Sequence, residues 1–395
     1  MPKINTDAKK IEELLTRGVD EVIVYEELKK ELESGRKLRI KFGVDPTAPD
    51  LHIGHAVPLR KLKQFQGAGH QVILLIGDFT AMIGDPTGRN ETRPMISSEV
   101  VKKNMETYIK QAGRIIDMNN VELRYNSKWY EDKGWSFLMS LTGKITVARV
   151  LDRDDFQKRL RDGADIQMQE ILYPLMQGYD SVELKADVEI GGTDQKFNML
   201  MGRKLQKRYD QPGQSVMTLT LLEGVDGNKK MSKSYGNYIG LLDSSDEMFG
   251  KVMSIPDDLI IKYFELATDV SMEQLKINKK RLTDGENPRD LKLELAAAIV
   301  KIYHGEKAAA LAKENFIKTF SKKQTPDKMP DAKIAGMNIV DALVSAKLVS
   351  SKSEARRAVE QGGVKIGSKV VESLNDVVKK GNVIQKGKRF FVKVI

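Results

Sequence analysis

Apolar and polar positions change period several times along the first 220 or so residues. KLRIKFGVD, residues 37–45, is a short apolar-rich run ending in a Gly-Val-Asp-Pro turn, and it predicts a strand. Over 55–69, Val57, Leu59, Leu62 and Phe65 fall near helical spacing, and the segment closes on Gly67 and Gly69, as helices do. VILLIG, residues 72–77, then runs without a polar interruption, the pattern of a strand covered on both faces. Strand, helix and apolar strand make the βαβ unit of a parallel sheet. VELRYNSKWY (121–130) predicts another strand, and 186–209 repeats the order strand, Gly turn, helix. The expected fold class is therefore α/β, a doubly wound parallel sheet. Such sheets bind ligands outside the carboxyl ends of their strands. Three loops at such ends carry unusual residues: 43–55, 77–93 and 191–195.

The rest of the chain divides by pattern. Residues 131–180 read as a helical insertion within a Rossmann-like domain spanning 1–225. A Gly- and Asn-rich loop occupies 226–245, and helices fill 246–320. Residues 321–335, with lysines, prolines and no apolar period, predict a linker. Residues 336–395 predict a small α+β module of two short helices and several short strands.

Composition narrows the partners. At 395 residues with 41% hydrophobic and 30% charged side chains, two or three packed domains are expected. No apolar run reaches the length of a membrane span, and the N-terminus lacks the apolar core of a signal peptide. With no cysteine, disulfides, thiol nucleophiles and thiolate metal sites are excluded, which fits a cytoplasmic location. The net charge is +10, and 336–395 carries twelve basic against five acidic residues, most of that excess. That module is the expected contact with a polyanion.

Two of the four histidines fall in HIGH, residues 52–55, at the expected start of a helix. Free N–H groups and a positive dipole end make this an anion site. His52 and His55 can donate to phosphate, Gly54 permits close approach, and Asp45-Pro46-Thr47 adds a carboxylate and a hydroxyl. A pair of capping histidines explains the motif equally simply, and a shared zinc lacks further ligands nearby. KMSKS, residues 230–234, lies in a loop with lysines at 229, 230 and 233. A cationic loop can close on a leaving pyrophosphate, or be an ordinary solvated loop. No G-x-x-x-x-G-K-[ST] motif is present.

Taken together, HIGH after the first strand and KMSKS much later resemble the class I aminoacyl-tRNA synthetases. FGVDPTAPDLHIGH, IGDPTGRNETR and YPLMQGYDSVELKADVEIGGTDQ are similar to the tyrosyl-tRNA synthetases of bacteria, along essentially the whole chain. The resemblance implies that Tyr173, Gln177 and Asp85 hold the amino acid's ammonium and that Asp180 accepts its phenol. Thr80 and Gln195 would also line the amino-acid site. Asp45, Gly192, Asp194 and Gln195 would contact the adenylate's ribose or the substrate carboxyl. His52, His55 and Thr47 would bind the ATP phosphates opposite Lys230 and Lys233, with Gly54, Met231, Ser232, Ser234, Arg89 and Arg93 around the nucleotide. Tyr173, Gln177 and Asp180, at i, i+4 and i+7, share one helix face. Lys41 stands where much of the family has a second phenol-contacting tyrosine, and as a substrate contact it would replace that group.

By the same resemblance, ATP enters as a substrate with Mg²⁺ and no structural metal is expected. Residues 246–320 would recognise the anticodon, and the last module would be an S4-like RNA binder using Lys352, Arg356, Arg357 and Lys365. The insertion would form a homodimer interface, and the RNA partner would be the tyrosine tRNA. A tryptophanyl enzyme, a non-catalytic RNA binder and a small-molecule adenylyltransferase are the competing readings. The phenol-directed face of Asp180, the intact clamp residues and KMSKS with its basic module oppose these in turn.

Overall fold

The computed structural model describes residues 4–87, 96–321, 329–349, 351–367, 369–387 and 390–395. Two compact units result, one from 1–243 with 254–295 and one from 244–253 with 296–395. The first unit opens with α1 (Ala8–Thr16), β1 (Val19–Ile23), α2 (Tyr25–Glu33), β2 (Arg39–Val44), α3 (Ile53–Gly67) and β3 (Gln71–Ile76). It continues through α4 (Thr80–Ile83), α5 (Ser98–Ala112), β4 (Val121–Tyr125), α6 (Ser127–Thr142), α7 (Val147–Leu151) and α8 (Asp154–Arg161). After these come α9 (Met168–Leu184), β5 (Val188–Gly192), α10 (Lys196–Arg208) and β6 (Ser215–Leu219).

The six strands lie in the order β1-β6-β5-β2-β3-β4, all parallel except β1. From β2 the chain winds outward through β3 to β4, then returns to the other side at β5. The crevice outside the ends of β2 and β5 is therefore the switch point where such sheets bind ligands. β3, Val72 to Ile76, is almost wholly inaccessible, as its unbroken apolar run requires. Chain reversal after α3 uses Gly69 at φ +92, a conformation that costs a side chain dearly.

Several boundaries differ from the expected ones. The strand over 121–130 stops at Tyr125, because Asn126 turns inward and Ser127 begins α6. Asn126 is fully buried, accepts from the Phe79 N–H at 2.9 Å and donates to Thr80 Oγ1 at 2.9 Å. The expected insertion is helical, yet α9 runs through its boundary at 180. Leu175, Met176, Tyr179 and Val182 pack with Ile73 and Leu75 in one apolar cluster, so α9 is a covering layer of the sheet. Beyond the lysine loop, α11 (Ser245–Met253) falls in the second unit. In contrast, α12 (Ile260–Ala267) and α13 (Met272–Thr283) belong to the first unit. Buried Arg17 is the reason, since its guanidinium donates to the carbonyls of Glu265, Thr268 and Val270. A separate helical domain over 246–320 is thus replaced by a division at Leu295, inside α14 (Pro288–His304).

In the second unit follow α15 (Glu306–Ser321), β7 (Asp331–Ala332), α16 (Ile339–Ser345), α17 (Lys352–Glu360), β8 (Val364–Ile366), β9 (Lys369–Val370), β10 (Val383–Lys386) and β11 (Phe390–Val394). The strands make a sheet in the order β7-β11-β10-β8-β9. Residues 322–328 of the expected linker lie outside the described residues, but its end does not behave as a linker. β7 pairs with β11, and Ile334 is buried in the module's apolar cluster.

Candidate active site

β2 carries the chain to the crevice, and a loop from Asp45 brings it to α3 with His52 as N-cap. The His52 N–H donates to His55 Nδ1 at 3.3 Å, and the two rings stack 3.7 Å apart. His52 is buried, while His55 beside it is exposed to solvent. Burial, then the neighbouring His55, Lys233 and Lys230, pushes His52 down to about 2, and the protein packed around it together with the same lysines lowers His55 as well. Both imidazoles are therefore neutral at pH 7. A β-bridge between His52 and Gly240, with Ile53 N–H donating to the Ile239 carbonyl, ties the helix start to the segment after the lysine loop. Gly54 leaves little spare room there, since a Cβ would stand 3.0 Å from the His52 ring and 3.4 Å from Met231.

The lysines face carboxylates. Lys230 pairs with Asp194 at 3.0 Å and Lys233 with Asp50 at 2.9 Å. Both pairs are partly exposed, and such contacts contribute roughly 0–1 kcal/mol, so an entering phosphate can displace them. Met231 is buried, and the Ser232 hydroxyl accepts from the Ser234 N–H. Asn237 holds the loop's base. It is buried, accepts from the Ser232 N–H at 2.8 Å and donates to Asp226 at 3.0 Å.

Deeper in the crevice, α9 presents Tyr173, Gln177 and Asp180. The Tyr173 hydroxyl donates to Asp45 Oδ2 at 2.8 Å, and Thr80 Oγ1 donates to Asp45 Oδ1 at 2.8 Å. Thr47 folds back, its N–H bonding the Asp45 carbonyl. Burial and the charges of Asp45, Asp85 and Asp180 together push the Tyr173 phenol far above its ordinary range. Three carboxylates thus bear on one hydroxyl, an environment suited to an ammonium. Gln177 Oε1 is buried and has no hydrogen-bond partner among the described residues. Asp85 accepts from the Thr87 hydroxyl at 2.6 Å and from Gln195 Nε2 at 2.7 Å.

Asp180 is 2% exposed, and burial raises its carboxyl to about 6. Its Oδ1 accepts from Trp129 Nε1 at 3.1 Å and lies 2.9 Å from the Tyr130 hydroxyl, whose proton also reaches the Met176 carbonyl. Among the described residues its Oδ2 accepts only a long bond from Asn126, 3.3 Å. That oxygen keeps acceptor capacity for an incoming hydroxyl.

Lys41 departs from the expected role of substrate contact. It is fully inaccessible, and its ammonium meets Glu189 at 2.9 Å, Ser181 Oγ at 2.8 Å and the Gln177 carbonyl at 3.2 Å. Three N–H donors with three protein acceptors leave none for a phenol. Gly192 and Asp194 sit at the end of β5, where a Cβ on Gly192 would lie 2.6 Å from Asp194 Oδ1. Arg89 and Arg93 lie outside the described residues. In the second unit, Lys352, Arg356 and Arg357 are exposed on α17, Lys352 paired with Asp341 at 2.7 Å, and Lys365 is half-buried on β8.

Sequence reasoning passed over Asn126, Trp129, Tyr130, Glu189, Asn237 and Gly77. A Cβ on Gly77 would lie 2.1 Å from Asp45 Oδ1. Glu189 was detectable as a charge inside an apolar strand, like Lys41. Asn126, Trp129 and Tyr130 were hidden by reading their segment as continuous strand.

The family described as tRNA synthetases class I (W and Y) matches residues 32–321, and a tyrosine–tRNA ligase C-terminal domain family matches 322–393. The chain is 50% identical over 385 residues to the tyrosine–tRNA ligase of Thermotoga maritima, covering 96% of each. It is 48% identical over 389 residues to that of Francisella tularensis, covering 97% of this chain and 98% of the relative. Among solved structures, a truncated mitochondrial tyrosyl-tRNA synthetase of Aspergillus nidulans superposes with TM-score 0.65 at 25% identity, covering 79% of this chain and 94% of that one. The Archaeoglobus fulgidus enzyme, solved with L-tyrosine, does so with TM-score 0.62 at 22% identity over 77% and 99%, a likeness of fold. With the family matched over most of its length and relatives half identical from end to end, the chain belongs to the class I tRNA synthetases, among the tyrosine–tRNA ligases.

Proposed function

We propose that this ligase divides its work between a phosphate clamp and a tyrosine pocket at the two depths of the crevice. The tyrosine carboxylate attacks the α-phosphate of Mg–ATP in line and expels pyrophosphate. A ribose hydroxyl at the tRNA 3′ end then attacks the adenylate's carbonyl. No side chain forms a covalent intermediate, so rate comes from positioning and charge stabilisation. His52 and His55, being neutral, serve as hydrogen-bond donors with Thr47. Cationic stabilisation of the leaving pyrophosphate falls to Lys230 and Lys233, released from Asp194 and Asp50.

The observation that carries the pocket assignment is the Tyr173 hydroxyl bonded to Asp45 on the same helix face as Asp180, beside Gln177 Oε1, which has no partner among the described residues. An ammonium fits Tyr173, Gln177 and Asp85, and a phenol fits Asp180. Gly192, Asp194 and Gln195 are left to the ribose and carboxyl, with Met231, Ser232 and Ser234 lining the nucleotide. Amino-acid-dependent ATP–pyrophosphate exchange across a panel of amino acids tests this, with exchange expected for tyrosine. Exchange with tryptophan instead would transfer the reading to the other branch of the family.

The basic face of α17, with Lys365 beside it, suits the tRNA backbone. Residues Trp135, Met139, Val147, Leu160 and Met168 are large, apolar and exposed along α6–α9, Trp135 at 73%. So many exposed large apolar side chains along one stretch favour a homodimer, with the insertion as its interface. Sedimentation of Trp135→Asp as a monomer is the expected outcome.

A further inference from the structure

The charged pair inside the sheet takes no part in the reading above. Lys41 and Glu189 are register partners on β2 and β5, the two strands that flank the switch point. Their side chains are 0% and 2% exposed. Burying two charges costs several kcal/mol each, and a packed apolar pair is often as stable or more so. Stability alone therefore does not account for them.

The surroundings are cut to fit this pair. Ser181 donates to Glu189 Oε2 at 3.0 Å, and Gln214 Nε2 donates to the same oxygen. A Cβ on Gly202 of α10 would stand 2.7 Å from Gln214 Nε2, 2.9 Å from Ser181 Oγ and 3.2 Å from Glu189 Oε2. Gly178 likewise lets α9 approach α10, since a Cβ there would be 3.1 Å from the Gly202 nitrogen. The ammonium ends on α9 at both flanks of Asp180, at the Gln177 carbonyl and at the Ser181 hydroxyl.

We propose that Lys41 is a specificity-determining positioning residue, which holds Asp180 in place and ionised through the Lys41–Glu189–Ser181 network without touching the phenol. The inference rests on the tyrosine reading of the pocket. The titratable and charged groups that bear on Asp180 are Lys41 from β2, Tyr130 from α6 and Tyr173 from α9, with Glu189 of β5 paired to Lys41 and Asp45 beyond Tyr173. Both tyrosines are pushed far above their ordinary range and stay protonated. Lys41 is the cation in the set, and its charge draws the Asp180 carboxyl down against burial. An ionised carboxylate accepts a phenol and is left unpaired by phenylalanine, which is the basis of discrimination.

The test uses Lys41→Met and Glu189→Gln in the full-length protein. It follows kcat/KM for tyrosine and phenylalanine in pyrophosphate exchange between about pH 5.5 and 9, with ATP KM as a control. The unmodified enzyme should lose tyrosine activity as pH falls through about 6, where Asp180 takes up its proton. Lys41→Met should move that limb up by about one unit, so that kcat/KM for tyrosine falls about twofold at pH 7, by nearly tenfold at the acid end of the range, and recovers in alkali. Glu189→Gln keeps an acceptor for Ser181 but removes the countercharge, and should move the limb down. Shifts of opposite sign are the signature, since a purely structural role produces none. A pH-independent loss in Lys41→Met, or an unmoved limb in Glu189→Gln, would overturn the proposal. If Lys41→Met does not fold, Glu189→Gln decides alone. Absence of tyrosine exchange in the unmodified protein would sink the pocket reading instead.

Discussion

The clamp and the pocket solve opposite electrostatic problems within one crevice. The clamp keeps its cations half exposed on weak ion pairs, Lys230 with Asp194 and Lys233 with Asp50, so that they can be redirected. The pocket buries its carboxylates and fixes them with donors from other elements, as Trp129, Tyr130 and Asn126 fix Asp180. A phosphate chain that gains charge during reaction is served by groups that can arrive late. A hydroxyl that must be told from a hydrogen is served by groups that cannot move. Rejecting the analogue depends on leaving a buried polar group unpaired, which needs rigidity.

The largest way to break the contrast is Asp180→Asn. Tyrosine-over-phenylalanine discrimination should fall by about 10²-fold or more in exchange assays, with ATP KM little changed. Its stability effect has a definite sign. The native carboxyl is raised from 3.8 to about 6, so between those values the native state binds more protons. Wild-type stability should fall as pH rises through that window, and the variant should flatten that fall in urea melts at several pH values. Next, Lys233→Ala should slow adenylate formation by about 10²–10³-fold in single-turnover experiments, leaving tyrosine affinity nearly intact. Loss of tyrosine binding there would erase the division between the two sites. Gly77→Ala should cost roughly 1–3 kcal/mol in chemical denaturation, because Asp45 and Thr80 must yield to the new methyl. Its effect on tyrosine KM should exceed that on ATP KM. Asp50→Asn is the mildest, removing only Lys233's exposed partner, and should change stability by less than about 1 kcal/mol.

The two regions also differed in how far they could be read in advance. HIGH and KMSKS are contiguous, and local chemistry names their residues before any fold is known. The i, i+4, i+7 face of Tyr173, Gln177 and Asp180 was legible for a related reason, since helical period alone joins it. What escaped was whatever tertiary packing assembles. Asn126 ends a strand because its amide serves Phe79, Thr80 and Asp180 at once, and no local propensity encodes that. Lys41 looked like a ligand because its partner Glu189 arrives from 148 positions later through strand register. Helices α12 and α13 were assigned elsewhere because Arg17, at the other end of the unit, supplies their anchor.

The bridge from His52 to Gly240 has a kinetic consequence. With Asn237 tied to Ser232 and Asp226, and Met231 N–H bound to the Leu222 carbonyl, both ends of the lysine motif are moored to the body that carries the histidines. Only the few residues between them are left to rearrange. Motion of short surface loops runs on nanosecond to microsecond scales. Closure of the clamp then needs movement of a short segment alone, not of a domain.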